Sequence, residues 1–565
     1  MPVSDAALLN YLEACGLPAR WAGQERFVIL DTGFGDGAAF LATWRAWQAD
    51  PHRAARLHYI ALGALSAAAL PQEWRAQWPP AVTGWQRLAL EGVTLDLLQG
   101  DPGAGLAQVD ARVDAFYLAG PPCTATATPL ARLALPGATL ALADQACWSA
   151  LQAAGFARDG ERALFIGRQP QAGRAAPPER RAVVIGAGLA GAAACERLCA
   201  RGWQVTLIER HAQPAQEASG NLAGIFMPLL SQDDNPATRL SRAAYLYALR
   251  HWQGLGGVGA AFPGARCGVL QLARDATHAE AQRKIAAAAG HPPHYARWLE
   301  RDQAGALLGA PAPHGAWWFE GAGWARPAGV CAAMLDACGA RLERVFSASV
   351  GALARVDGQW QVRAADGALL AQAPTVILAN GCAATALEQA AGLPLIAVRG
   401  QVTHLAEGSL ALAPPLVVCR EAYMTPAADG IVCVGATYDA DGERGLRAAS
   451  QQENLEKIAA ILDLPVPDAP LAGRTGFRCV APDRLPLVGA LPDPAAAGRC
   501  ERLRDVSRLP GLYGLLGYAS RGLIWAPLAA ELLAARLEGE PLPLEASLAA
   551  ALDPARFLLK QLRRR

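Results

Sequence analysis

Gly186, Gly188 and Gly191 stand directly behind the apolar run Ala182–Ile185. In such a GxGxxG turn the first glycine permits the tight bend and the second lets the backbone approach a pyrophosphate. The third lets the following helix pack on the strand, with its N-terminus facing the anion. Glu209 closes the next apolar run, Gln204–Glu209, and a carboxylate there accepts hydrogen bonds from an adenosine ribose. In this strand–turn–helix–strand–acid setting the motif reads as a dinucleotide site, for FAD or NAD. Ser219, Gly220, Asn221 and Gly224 add small residues and polar groups for a second close backbone approach. Near the C-terminus, Gly514, Gly517 and Gly522 form a loop leading into a helix. A helix start aimed at a flavin ring favours the negative charge of the reduced ring, and a Gly-rich surface loop is the competing reading. Tyr423, in EAYMTP, is either a pocket wall with a reaching hydroxyl or a core tyrosine.

A second Gly-rich turn, DTGFGDGAAF, carries Gly33, Gly35 and Gly37 between an apolar run and a helical stretch. This layout passes a backbone close to a ligand such as S-adenosylmethionine, although Gly-rich βα turns are common. The elements that must hold these turns are also legible. Phe27–Leu30, Leu57–Leu62, Val93–Leu97 and Ala115–Leu118 read as buried strands before the segment Gly167–Arg181. That segment, GRQPQAGRAAPPERR, has no apolar period and reads as a linker. Beyond it Thr375–Leu378 reads as a buried strand, Val398–Gly435 as antiparallel strands and Leu523–Leu537 as a helix.

The whole chain has 565 residues with 52% hydrophobic and 18% charged, which calls for two or three domains and excludes a disordered or collagen-like chain. No run of about 20 apolar residues lacks a charge, and Met1–Arg20 lacks a basic start before an apolar run. Neither a membrane span nor a signal peptide is read, and a cytoplasmic protein is expected. The net charge of +1 lacks the basic balance of a nucleic-acid binder. Thirteen cysteines without a CxxC pair, Cys195 and Cys199 among them, read as reduced core thiols rather than a metal site.

VVIGAGLAG, Glu209, ASGNLAG, VILANG ending at Gly381, FRCVAPDRLPLVG (Phe477–Gly489) and GYASRGL together resemble the D-amino-acid oxidase/glycine oxidase superfamily. More closely, SGNLAGIFMPLLSQDDN, VRGQVTH, GATYD and GEPLPLEASLAAALDPARF resemble the MnmC family, the tRNA 5-methylaminomethyl-2-thiouridine biosynthesis bifunctional proteins. The resemblance implies an α/β chain: a methyltransferase-like, doubly wound domain over 1–170, a linker over 171–181, and an FAD-dependent oxidoreductase over 182–565. FAD-binding parts fall at about 182–240, 325–395 and 475–565, and a mostly antiparallel substrate sheet at about 241–324 and 396–474. The implied activity is oxidative removal of the carboxymethyl group from a carboxymethylaminomethyl-uridine at the tRNA wobble position, in the anticodon loop. The alternatives are a free glycine, sarcosine or D-amino-acid oxidase with an appended domain, and a non-catalytic RNA-binding flavoprotein.

Arg478 falls where related amine oxidases place the arginine that binds the substrate carboxylate, a role suited to a guanidinium fork; an ordinary ion pair is its other reading. Arg521 is placed to touch flavin or substrate, and Arg399 either touches RNA or ties two strands. Lys560, Arg563, Arg564 and Arg565 of the tail and Arg174, Arg180 and Arg181 of the linker are candidate phosphate contacts or merely solvated charges. In the N-terminal part the family uses the Gly33–Gly35–Gly37 turn for S-adenosylmethionine. Two of the family's acids are missing: the ribose-binding position is Gly63, and the catalytic or orienting position is Ala119. Asp101 remains a weak candidate for the adenine end. Loss or severe weakening of methyl transfer is therefore expected. A monomer is compatible with the sequence, which fixes no oligomeric state.

Overall fold

The apolar runs pair into sheets largely where the sequence puts them. The computed structural model describes residues 11–118, 124–142, 148–159, 162–167, 179–466, 471–495 and 498–563. Its chain divides into two units, residues 1–177 with 535–549 and residues 178–534 with 550–565.

The first unit is built on an eight-stranded sheet. Its order is Gly84–Leu90, Val93–Gln99, Arg56–Leu62, Arg26–Asp31, Val113–Leu118, Ala134–Leu142, Arg162–Phe165, Phe156–Asp159. The five strands from Val93–Gln99 to Ala134–Leu142 run parallel, and the outer three pair antiparallel. The expected parallel sheet thus has antiparallel edges. On one edge the reason is local: Gly92, at φ +70°, allows a short hairpin between Leu90 and Val93. The strand Arg26–Asp31 is buried on both faces. Phe27 and Ile29 pack with Trp21 and Phe40 on one side, while Val28 and Leu30 pack with Phe116 and Leu140 on the other.

Residues 535–549 belong to this unit, although the sequence reading groups them with 182–565. Leu542, Leu544 and Leu548 are buried there. Arg56 meets the Glu540 carboxylate at 2.6 Å. Arg87 donates at 2.7 Å both to Asp96 and to the Pro541 carbonyl.

The second unit carries two large sheets. The first has the order Leu342–Val345, Gln204–Ile208, Arg181–Ile185, Thr375–Leu378, Arg508–Leu516, Leu487–Pro492, all parallel except the last pair. The helix Leu189–Cys199 lies on it, and Ala192, Ala193 and Ala194 are small enough to let it approach closely. The second sheet has the order Arg297–Leu299, Ala316–Phe319, Val269–Leu272, Val417–Cys419, Tyr423–Met424, Ile431–Gly435, Ile396–Ala406, Ala472–Val480. It is antiparallel apart from one parallel pair. Among the described residues no helix is long and apolar enough to cross a membrane. None of their His, Cys, Asp and Glu side chains form a group placed to hold a metal ion. The described cysteines carry free thiols, Cys195 and Cys199 within the core.

Candidate functional site

The parallel strands Arg181–Ile185 and Gln204–Ile208 run directly into Gly186 and Glu209, and Thr375–Leu378 leads to Gly381 three residues on; all three residues line one cleft of about 940 Å³. Its size lies within the range of about 300–1,000 Å³ typical of cofactor sites, and its place outside the carboxyl ends of an open α/β sheet is where such folds bind ligands. Gly186 sits at φ +104°. Its neighbour in the motif, Gly191, faces it so closely that a Cβ on Gly191 would stand 1.8 Å from the Gly186 carbonyl oxygen. Gly191 itself lies behind the wall, inside the helix.

Glu209 is buried and holds the turn from below. Its carboxylate accepts from the Ala187 N–H at 2.7 Å and from the His211 N–H at 3.0 Å. Ser219 accepts from the Leu189 N–H at 3.1 Å, in the first turn of the helix that opens on the cleft. Asn221 and Gly224 also line the cleft, and a Cβ on Gly224 would meet Leu523 at 2.8 Å. Gly220 lies just behind it, tight against Arg474, whose nearer nitrogen would be 2.4 Å from an added Cβ. Gly517 and Gly522 stand on the opposite wall, where the helix Gly522–Glu538 begins.

These residues fit a flavin dinucleotide. Two backbone turns and two helix starts face one cleft. Asn380, which lines it, carries a buried carboxamide oxygen without a hydrogen-bond partner among the described residues. The Tyr518 hydroxyl, on another lining residue, is likewise buried and unpartnered. Buried polar atoms in folded proteins are almost always paired, so these two atoms are placed to take a polar ligand.

Arg478, Tyr423 and Arg521 line the same cleft from the second sheet and the loop before the last long helix. Arg478 Nη1 donates to the carbonyls of Thr437 at 3.0 Å and Arg399 at 3.3 Å, and its guanidinium lies 4.1 Å from the Tyr438 ring centroid. Its Nε and Nη2 donate to none of the described residues, which leaves one edge of the fork for a carboxylate. Burial pushes the Tyr423 hydroxyl well up, against a smaller downward pull from Arg478, so Tyr423 stays protonated. Burial also draws the Arg521 guanidinium below its usual range, with nearby Tyr438 opposing the shift.

Three contributors lie outside the sequence reading. Gly400 leaves the floor on which Arg478 lies: a Cβ there would be 2.1 Å from Arg478 Nη1. Arg474, on the same strand as Arg478, donates to the Gln216 carbonyl at 2.7 Å and to Asn221 at 3.3 Å, fixing the Ser219–Asn221 turn. Tyr438 backs the Arg478 guanidinium. Each acts across strand pairings that spacing alone does not reveal. Arg399 is fully buried and bridges Asp439 at 2.9 Å, so of its two readings the structure supports the strand tie and not an RNA contact.

The Gly33–Gly35–Gly37 turn lies in the first unit, with Gly35 exposed, Gly33 half-buried and Gly37 buried. Ser66 and Ala69 donate backbone N–H groups to the carbonyls of Gly35 and Asp36, at 2.9 and 3.0 Å. A Cβ on Gly37 would meet Leu70 at 3.0 Å. Gly63 sits at φ +94°, a conformation that disfavours the acid expected there. Asp31 is buried, accepts from the Tyr59 hydroxyl at 2.6 Å and from the Gly33 N–H at 2.8 Å, and burial pushes its carboxyl up to about 6. Asp101 is engaged as a helix cap, accepting from Ala104 at 2.7 Å. The exposed Gly35 and half-buried Gly33 keep part of this turn open to a ligand such as S-adenosylmethionine; what the unit lacks is the acid at the Gly63 position. Ala119 lies outside the described residues, as do Arg174, Arg564 and Arg565. Arg181 pairs with Glu179, Arg563 donates to the Glu501 carbonyl at 3.2 Å, and Lys560 sits 5.7 Å from the Phe557 ring.

Comparison with known proteins agrees with this geometry. Residues 181–536 match the family described as FAD dependent oxidoreductase. The tRNA 5-methylaminomethyl-2-thiouridine biosynthesis bifunctional protein MnmC of Azoarcus sp. (strain BH72) is 45% identical, over 98% of this chain and 93% of that protein. The protein of the same name from Burkholderia thailandensis is 44% identical over 98% and 93%. Among solved structures, glycine oxidase from Geobacillus kaustophilus superposes with a TM-score of 0.54 at 21% identity, over 67% of this chain and 99% of that one. Iminodiacetate oxidase from Chelativorans sp. BNC1 gives 0.51 at 26% identity, over 64% and 96%.

Proposed function

The chain belongs to the MnmC family and, within it, to the FAD dependent oxidoreductases, and we propose that it modifies the wobble uridine of tRNA by removing the carboxymethyl group of carboxymethylaminomethyl-(2-thio)uridine, in the cytoplasm. The observation that carries this reading is the free edge of Arg478 facing a flavin-sized cleft. The arm to be removed is an N-substituted glycine, and its carboxylate takes a two-point grip from that edge. FAD held there would supply the two-electron oxidant for the arm's methylene, and hydrolysis of the imine left on the arm would release glyoxylate and leave aminomethyl-uridine.

This chain's residues supply position and charge. Glu209 holds the first glycine turn and stands where the ribose hydroxyls would sit. Ser219 orients the start of the helix behind Gly188 toward the pyrophosphate. Arg521 puts a second positive charge in the wall, and Tyr423 offers a neutral hydroxyl. Arg478 fixes the carboxylate so that the reacting methylene is held in one place. The decisive test gives purified holoenzyme a tRNA bearing the carboxymethylaminomethyl arm, and free glycine and sarcosine separately. Flavin bleaching by the tRNA, with the nucleoside losing the mass of the carboxymethyl group, is expected. Bleaching by the free amino acids alone would reassign the protein as a small-molecule oxidase.

In the first unit, loss or severe weakening of methyl transfer is expected, because an acid is missing from the Gly63 position. Titration calorimetry with S-adenosylmethionine is expected to show no binding up to millimolar ligand, and aminomethyl-tRNA to stay unmethylated. Saturable binding with methyl transfer would restore the second activity.

A further inference from the structure

Tyr438 is 65% exposed, yet it lines the cleft beside Arg478. An exposed aromatic on a mobile loop would need no explanation, but the backbone here is fastened on both sides. Thr437 is fully buried; its N–H donates to the Gln401 carbonyl at 3.2 Å, and its hydroxyl accepts from the Gln401 N–H at 3.1 Å and donates to Asp439 at 3.1 Å. Asp439 exchanges backbone hydrogen bonds with Arg399 at 2.9 and 3.0 Å and takes the buried Arg399 guanidinium at 2.9 Å. The antiparallel Arg399–Asp439 bridge sets Tyr438 beside Gly400, on the sheet face that carries Arg478. One side of the phenol ring therefore rests on the guanidinium, and the remainder is held open to water at the mouth. A rigid, bare aromatic at the entrance of a charged pocket is a stacking surface.

We propose that Tyr438 is the platform on which the target pyrimidine stacks, a base splayed out of a single-stranded RNA loop. The inference rests on the wobble-uridine reading above. The arm from the base to its carboxylate is about 5 Å of chain. The Tyr438 ring centroid lies 4.1 Å from the Arg478 guanidinium carbon. A carboxylate on the free edge of Arg478 thus brings its own base into stacking reach of Tyr438.

The test measures binding of the holoenzyme to two labelled anticodon stem-loops, one with the carboxymethylaminomethyl arm and one with the aminomethyl arm that lacks the carboxylate. Tyr438→Ala is expected to weaken both by the same factor, about 5- to 150-fold. Tyr438→Phe keeps the ring and is expected to hold both affinities within about twofold. Weakening of only the carboxylate-bearing RNA would show that Tyr438 merely props Arg478, and overturns the proposal. So does a Tyr438→Ala protein that binds like the unaltered one, or a Tyr438→Phe loss equal to that of alanine. The parent reading is judged separately: unaltered holoenzyme that leaves the arm on the RNA overturns both, whereas arm removal with any of the preceding results overturns the stacking role alone.

Discussion

Arg478→Ala is expected to yield a protein that remains yellow but loses about 30- to 5,000-fold in kcat/KM for the arm-bearing tRNA. That range corresponds to about 2–5 kcal/mol, the cost of removing one partner of a desolvated, hydrogen-bonded charge pair. Most of the loss should fall on KM. The carboxylate keeps its charge from ground state to transition state, so the guanidinium binds both about equally. Flavin should stay bound, because the carbonyls that Arg478 serves, those of Thr437 and Arg399, belong to the second sheet and not to the glycine turns. Arg478→Lys restores charge without the fork and should recover only part of the loss. Steady-state kinetics beside the visible spectrum checks both halves of this expectation. A yellow Arg478→Ala protein with unaltered KM would remove the carboxylate grip from the reading.

Gly191→Ala is expected to do the opposite, emptying the cleft while leaving Arg478 in place. The added methyl carbon would stand 1.8 Å from the Gly186 carbonyl oxygen and 3.0 Å from its carbon. No side chain can swing aside there, since the obstacle is backbone. The helix Leu189–Cys199 must lift from the sheet, and with it the N–H groups that face the cleft. Overpacking of this kind costs about 1–3 kcal/mol even where side chains can give way, so the lower bound is about a fivefold loss of flavin affinity. The variant is expected to purify colourless. Its melting temperature should not respond to added FAD, whereas the unaltered apoprotein gains about 2.7 kcal/mol at a hundredfold excess of ligand over Kd. A yellow Gly191→Ala protein with an FAD-dependent melting shift would contradict this packing.

These two positions mark where a linear reading succeeds and where it stops. Gly186, Gly188, Gly191 and Glu209 were legible because a βαβ turn writes its chemistry into about 25 consecutive residues. The strands Arg181–Ile185 and Thr375–Leu378 and the helix Gly522–Glu538 were equally plain from apolar runs and helical period. Arg478 was reached only through its neighbours in FRCVAPDRLPLVG. Gly400 and Tyr438 stood inside VRGQVTH and GATYD, but their part in the site went unread, because it depends on the register of Ile396–Ala406 against Ala472–Val480 and on the Arg399–Asp439 bridge. Arg474 is another residue of this kind: it reaches a turn more than 250 positions earlier in the chain. Nothing in the local sequence ties such residues to a cleft. The backbone contacts of Ser66 and Ala69 with the Gly33–Gly37 turn were hidden for the same reason, since they meet it only after the parallel strands Arg26–Asp31 and Arg56–Leu62 align.

The place of residues 535–549 has a consequence for how the molecule is made. Leu542, Leu544 and Leu548 complete the interior of a body whose other side chains precede residue 178. During synthesis that body must wait, unfinished, until the ribosome has passed nearly the whole flavin-binding half. A gene cut ahead of Arg181 would therefore separate the first body from three buried leucines that cluster with it.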